Sequence, residues 1–190
     1  ISGQINEILA DGKFRALVPD GFNWPLDLAM GEDGVLFIAD GGFTYTLRPD
    51  GALHGAGMLF SPGFPGYTRG VASAGRGEFI VTTANGVVAR FWPAQQESEV
   101  LASGFDQLYG VAVAPGGTVI FTELGAGRVL SVASGKVEEL ARGLRQPVGV
   151  ASSTSGTCFI SESGAGRVVK LTLGGVDTVL DGLRRPQGIL

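Results

Sequence analysis

Apolar residues along this chain recur in short alternating runs of about five, each bounded by Gly, Pro, Ser or Asp, and no window keeps the three-to-four-residue stripe of a helix. The runs come in groups. "GVAVAPGGTVIFTELGAGRVLSVASGKVEELARGLRQPVG" over 110–149 is followed by "GVASSTSGTCFISESGAGRVVKLTLGGVDTVLDGLRRPQG" over 149–188. Both read as small-aliphatic run, turn, bulky run ending in Thr/Ser-Glu, Gly-Ala-Gly-Arg, two further runs, and Gly-Leu-Arg-x-Pro. The opening phrase stands at Asp27, Gly70, Gly110, Gly149 and Gly188, spaced by 43, 40, 39 and 39 residues. In the third unit the pattern predicts strands over Gly110–Ala114, Thr118–Glu123, Arg128–Ala133 and Lys136–Ala141. Four strands in each unit of about forty residues predict an all-β fold, a β-propeller of four-stranded antiparallel blades. The small first strand (Gly-Val-Ala) suits the crowded axis. The bulky second strand (Val-Ile-Phe-Thr, Cys-Phe-Ile-Ser, Leu-Phe-Ile-Ala) suits packing between neighbouring blades.

The repeat divides the chain into one propeller unit over 1–190. It has a partial blade over 1–26 (outer strands only), complete blades over 27–69, 70–109, 110–148 and 149–187, and the start of a further blade over 188–190. A blade shared by the two ends would lack its second strand and leave unpaired backbone at an edge. The expectation is therefore a segment of a larger propeller, for example a six-bladed one, whose remainder lies in a second chain that completes it or was never made or seen. The alternative is open edges pairing with another copy. The first complete blade is irregular: Pro62, Gly63, Pro65 and Gly66 predict a loop before Arg69. In the second, Asn85-Gly86 predicts a tight turn.

The residues "LYGVAVAPGGTVIFTELGAGRVLSV" and "PVGVA…GTCFISESGAGRVVKL" resemble NHL-type repeats and the related gluconolactonase (senescence-marker-protein) and virginiamycin B lyase propellers. The resemblance covers nearly the whole chain and rests on blade-building residues. It implies a propeller fold and, as one possible activity, a metal-assisted lactonase-like hydrolase or a lyase. The metal-holding set of gluconolactonases (a Glu before Gly-Pro, an Asn-Gly opening a blade, and an Asp) does not carry over. There is no Glu-Gly-Pro, and Gln187-Gly188 or Val148-Gly149 stands where Asn-Gly would. The lyase chemistry needs an active histidine, and the single one, His54, is not in a matching context and reads as a solvated turn residue.

Composition narrows the partners. The net charge is −4 with no basic run, which speaks against nucleic acid or an anionic membrane surface, and no apolar run approaches the length of a membrane span. The single cysteine, Cys158, excludes an internal disulfide and reads as a buried thiol in a second strand. Two groups of residues remain as candidate chemistry. The acids ending second strands, Asp40, Glu123 and Glu162, could form with Asp27 a ring of carboxylates for a divalent cation such as Ca or Mg. The competing reading pairs each within its own blade, Glu123 with Arg128 and Glu162 with Arg167. The loops leading into the first strands differ from blade to blade while the scaffold does not. They offer Trp24, Asp27, Arg69, Tyr109, Gln146 and Gln187 as a ligand-binding set at the channel mouth. Asp27, standing where other blades have Gly, either orients a ligand or metal, facing Arg69, or caps a turn. Three functions follow: a binding platform for a small molecule or protein, the metal-assisted hydrolase or lyase, and a structural repeat domain appended to an enzyme. The variable mouth and the missing catalytic constellation favour the first.

Overall fold

The computed structural model describes residues 3–189, so Ile1, Ser2 and Leu190 of the two end spans lie outside the described residues. Among the described residues there are strands and no helix. β1 (Gly3–Ile8) and β2 (Phe14–Phe22) form a two-stranded sheet. The first four-stranded blade is β3 (Pro25–Met30), β4 (Leu36–Asp40), β5 (Phe43–Leu47) and β6 (Leu53–Met58). The second is β7 (Thr68–Gly75), β8 (Glu78–Thr83), β9 (Val87–Trp92) and β10 (Glu97–Ser103). The third is β11 (Leu108–Val113), β12 (Val119–Glu123), β13 (Arg128–Ala133) and β14 (Lys136–Ala141). The fourth is β15 (Pro147–Ser152), β16 (Cys158–Glu162), β17 (Arg167–Thr172) and β18 (Gly175–Leu180). Every blade is antiparallel with strands in chain order, and the innermost strands β3, β7, β11 and β15 lie side by side. The architecture is a β-propeller.

Burial explains the strand compositions. β4 and β12 are buried at every position, because a second strand is covered on both faces; its first residues are apolar and its buried polar end is satisfied by hydrogen bonds. Along β8 the period of two sends Phe79 and Val81 into the core shared with the first blade and Ile80 into that shared with the third. Phe37 stacks on Phe79 with ring centroids 4.6 Å apart at the seam between the first and second blades. Cys158 fills the equivalent seam between the third and fourth blades, and burial pushes its thiol up to about 11, which keeps it protonated and inert.

The innermost strands start two residues earlier than the Gly-Val-Ala phrase predicts, at Pro25, Thr68, Leu108 and Pro147. Each such residue pairs with the last residue of the second strand (Pro25 with Asp40, Thr68 with Thr83, Leu108 with Glu123, Pro147 with Glu162), and a bulge follows. Proline is tolerated there because it opens the strand. His54 is corrected from a turn to the outermost strand β6, exposed and opposite Thr46, since the run Leu53–Met58 finds a ladder partner in β5. The segment 187–189 runs beside Gly149 and forms no ladder among the described residues. The loop after β6 is anchored by Phe64, whose ring meets Phe91 edge-on at 5.8 Å.

A repeated hydroxyl joins the blades. Thr122 Oγ1 accepts from Gly110 N at 2.9 Å and donates to the Val148 carbonyl of the next blade at 2.9 Å. Ser161 does the same with Gly149 N (2.8 Å) and the Gln187 carbonyl (2.5 Å). Thr82 accepts from Gly70 N at 3.0 Å and donates to the Tyr109 carbonyl. The glycine partners are required by proximity: a Cβ on Gly70 would lie 2.2 Å from the Tyr109 oxygen.

Candidate functional site

The loops entering the innermost strands are held by the acids that end the second strands. Glu123, 2% exposed, accepts from the backbone N of Asp106 at 2.7 Å and from Arg128 Nε. Glu162, fully buried, accepts from Arg145 N at 2.7 Å and from Arg167 Nε at 2.6 Å. Asp40 accepts from Asn23 N at 3.1 Å and from Trp24 N. Every oxygen of the three thus has a protein donor, and among the described residues no three His, Cys, Asp or Glu side chains converge on a point that could hold a metal. These three acids do not fit a shared cation. Glu123 and Glu162 fit the pairing with an arginine of their own blade, Asp40 accepts only from backbone, and all three fix the loops that lead into the innermost strands.

Asp27 bonds to neighbouring backbone, as the capping reading expected, and also reaches a second blade. Its Oδ1 accepts from Leu28 N at 2.9 Å, and its Oδ2 accepts from Val71 N of the second blade at 2.8 Å. It therefore bridges two blades. The first blade has Ala39 where the others carry Thr82, Thr122 and Ser161, so the seam hydroxyl is missing and the Asp27 carboxylate takes over the link. Among the described residues no ion pair joins it to Arg69. Burial raises its carboxyl above the ordinary 3.8, against the pull of the two N–H donors. Between 3.8 and that raised value the folded state binds more protons than the unfolded chain, so Asp27 lowers stability as pH rises through the window. Melting curves of wild type and Asp27→Asn across the acidic range are expected to diverge, the wild type losing ground to the variant as pH rises. Parallel curves would show that Asp27 carries no such cost.

The mouth itself is built from blades one to three. Trp24 is 65% exposed although its backbone is tied to Asp40. Tyr67 is near it: a Cβ on Gly41 (φ 61°) would come within 3.0 Å of the Tyr67 hydroxyl and 3.9 Å of Trp24 Cβ, so Gly41 leaves room for the Tyr67 ring. The Arg69 guanidinium carbon sits 5.4 Å from the Tyr67 ring centre and 5.2 Å from that of Tyr109, and Nη1 donates to the Tyr109 hydroxyl at 3.3 Å. The sequence reading missed Tyr67 as a site residue. Its signal was position, two residues before Arg69 in the irregular loop.

Gln146 and Gln187 occupy different positions in their loops. Gln146 takes the left-handed turn (φ 52°), as Gln107 and Arg185 do in theirs, and its side chain packs on Gly164. Gln187 follows Arg69 and Tyr109 in register, and its amide donates to Ser163 Oγ at 3.1 Å. Below the mouth, the innermost strands enclose a cavity of about 560 Å³ lined by Leu28, Met30, Val111, Val113 and Val150, with Asp27 at its edge.

No protein-family model and no curated protein sequence matches this chain. Solved structures do. Virginiamycin B lyase from Staphylococcus aureus is similar with a TM-score of 0.75 and 15% identity, over 100% of this chain and 67% of that one. A catalytically inactive histidine-to-alanine variant of that enzyme, solved with quinupristin, matches 98% of this chain and 66% of its own, with a TM-score of 0.75 and 15% identity. A structural-genomics target described as a gluconolactonase matches 92% of this chain and 70% of its own, with a TM-score of 0.74 and 18% identity. The protein thus belongs to the class of β-propellers with four-stranded blades. Within that class its shape is similar to those of lyase and gluconolactonase-like propellers, and it spans about two thirds of the length of the lyase structures.

Proposed function

We propose that this propeller is a binding platform that takes a small molecule at the channel mouth. The observation that carries the reading is an apolar cavity of about 560 Å³ between the innermost strands, whose starting ends carry or adjoin Trp24, Tyr67, Arg69 and Tyr109. That volume falls within the usual range for small-molecule sites, and an apolar wall with a few convergent polar groups is their usual lining. The acids that might have done chemistry are engaged in the scaffold, whereas the rim side chains are not needed to close any blade. Ligand-observed NMR with a panel of small aromatic compounds tests this. Compounds that bind wild type are expected to lose about ten-fold in affinity in Trp24→Ala, the cost of removing one exposed aromatic anchor. Unchanged binding in that variant would move the site elsewhere.

A second reading, a metal-assisted hydrolase or lyase, is favoured by the descriptions of the structural neighbours. A calcium or magnesium ion in this chain would need ligands other than Asp40, Glu123 and Glu162, whose oxygens already accept protein hydrogen bonds.

A further inference from the structure

We infer that Arg69 forms an oxyanion subsite, so that the ligand of the mouth carries a carboxylate or phosphate group next to a flat apolar body. This rests on the reading of the mouth as a small-molecule site and adds the chemistry it selects. Position supplies the first observation. The residue just before the seam glycine or Asp27 stands near the start of the innermost strand once in each blade: Leu26, Arg69, Tyr109 and Val148, with Gln187 following in register. Arg69 is the one charge in that series.

Its environment supplies the second. A guanidinium has five N–H donors in a fixed planar fork that matches a carboxylate or phosphate edge. Arg69 uses one, toward the Tyr109 hydroxyl, and among the described residues no carboxylate lies within ion-pair distance of it. Other arginines of the strands are neutralised. Arg128 meets Glu123 and Glu139, and Arg167 meets Glu162. Arg90, which also stacks on an aromatic ring (Trp92, 5.9 Å), meets Glu78 and Glu99 at 3.8 Å each. Arg69 has two rings in place of a counter-ion. The Tyr67 and Tyr109 rings flank the partly buried guanidinium and occupy only one of its donors, the one given to the Tyr109 hydroxyl. A role as a mere strut between blades would be complete with the stacking alone. The remaining donors are available to an anion that arrives from solvent, and the exposed Trp24, whose Cβ lies near Gly41 as the Tyr67 hydroxyl does, offers an aromatic surface for the ligand's flat part.

NMR titrations at low ionic strength with benzoate, phenyl phosphate and benzamide test this on the full chain. Benzoate or phenyl phosphate is expected to bind wild type about ten-fold more tightly than benzamide, with the advantage shrinking as salt is added. Which of the two anions binds better identifies the carboxylate or the phosphate as the preferred group. Arg69→Gln is expected to erase the advantage, bringing benzoate and phenyl phosphate to the affinity that benzamide has for the same variant. Arg69→Lys, which keeps the charge and loses the planar fork, is expected to retain only part of it, and serves if the glutamine variant does not fold. Equal binding of benzoate and benzamide, both weakened by Trp24→Ala, would overturn the oxyanion subsite and leave the mouth site standing. Binding by no probe, or binding that neither Trp24→Ala nor Arg69→Gln alters, would overturn both.

Discussion

Glu162→Ala is expected to destabilise the fold by about 3 kcal/mol, the range for removing one partner of a buried, hydrogen-bonded charge pair. The carboxylate is fully buried, and its two oxygens serve Arg145 N and Arg167 Nε. Truncation removes the acceptor of the Arg145 N–H and the buried partner of Arg167, and frees the loop that leads into β15. For a chain of this size the loss corresponds to a fall in melting temperature of about 10 °C. Glu162→Gln keeps the shape and one acceptor and should lose about half as much. A melting temperature unchanged in Glu162→Ala would mean that the acid is not what fastens the loop. The same logic applies to Glu123, whose partners are Asp106 N and Arg128.

Gly110→Ala should cost a similar amount, about 3 kcal/mol, by overpacking a site that cannot relax. A Cβ there would lie 2.4 Å from the Val148 oxygen, 2.9 Å from Val150 N and 3.0 Å from Gly149 Cα. All three are backbone atoms of the fourth blade, so the clash is relieved only by separating the blades, which also stretches the Thr122 hydroxyl link at 2.9 Å. Gly135→Ala is the control. Gly135 has φ 75° but nothing within 4 Å of the added carbon, so its cost is conformational only, about 1 kcal/mol. Denaturant unfolding of the two variants separates the effects. Equal losses would show that blade spacing is not set by the glycine.

Asp27 marks where reading one column at a time stops short. As a single residue it suggested a ligand or a turn cap. The paired departure, Asp27 for Gly and Ala39 for the seam hydroxyl, was present in the sequence and points to a substituted blade-to-blade link, which its bond to Val71 N provides. Tyr67 was hidden differently. Its neighbours on the rim, Trp24 and Arg69, come from separate blades, and nothing local states that Gly41 leaves room for its ring.

The sequence by itself determined the repeat, the four strands per blade, the propeller class and the loops that vary. Strand periodicity, turn residues and a recurring unit act over a few residues and are written in local order. The tertiary structure decided which acids are occupied, which link Asp27 makes, and which rings meet Arg69. Those outcomes depend on distances between residues of neighbouring blades, and such distances exist only once the blades have packed around their axis.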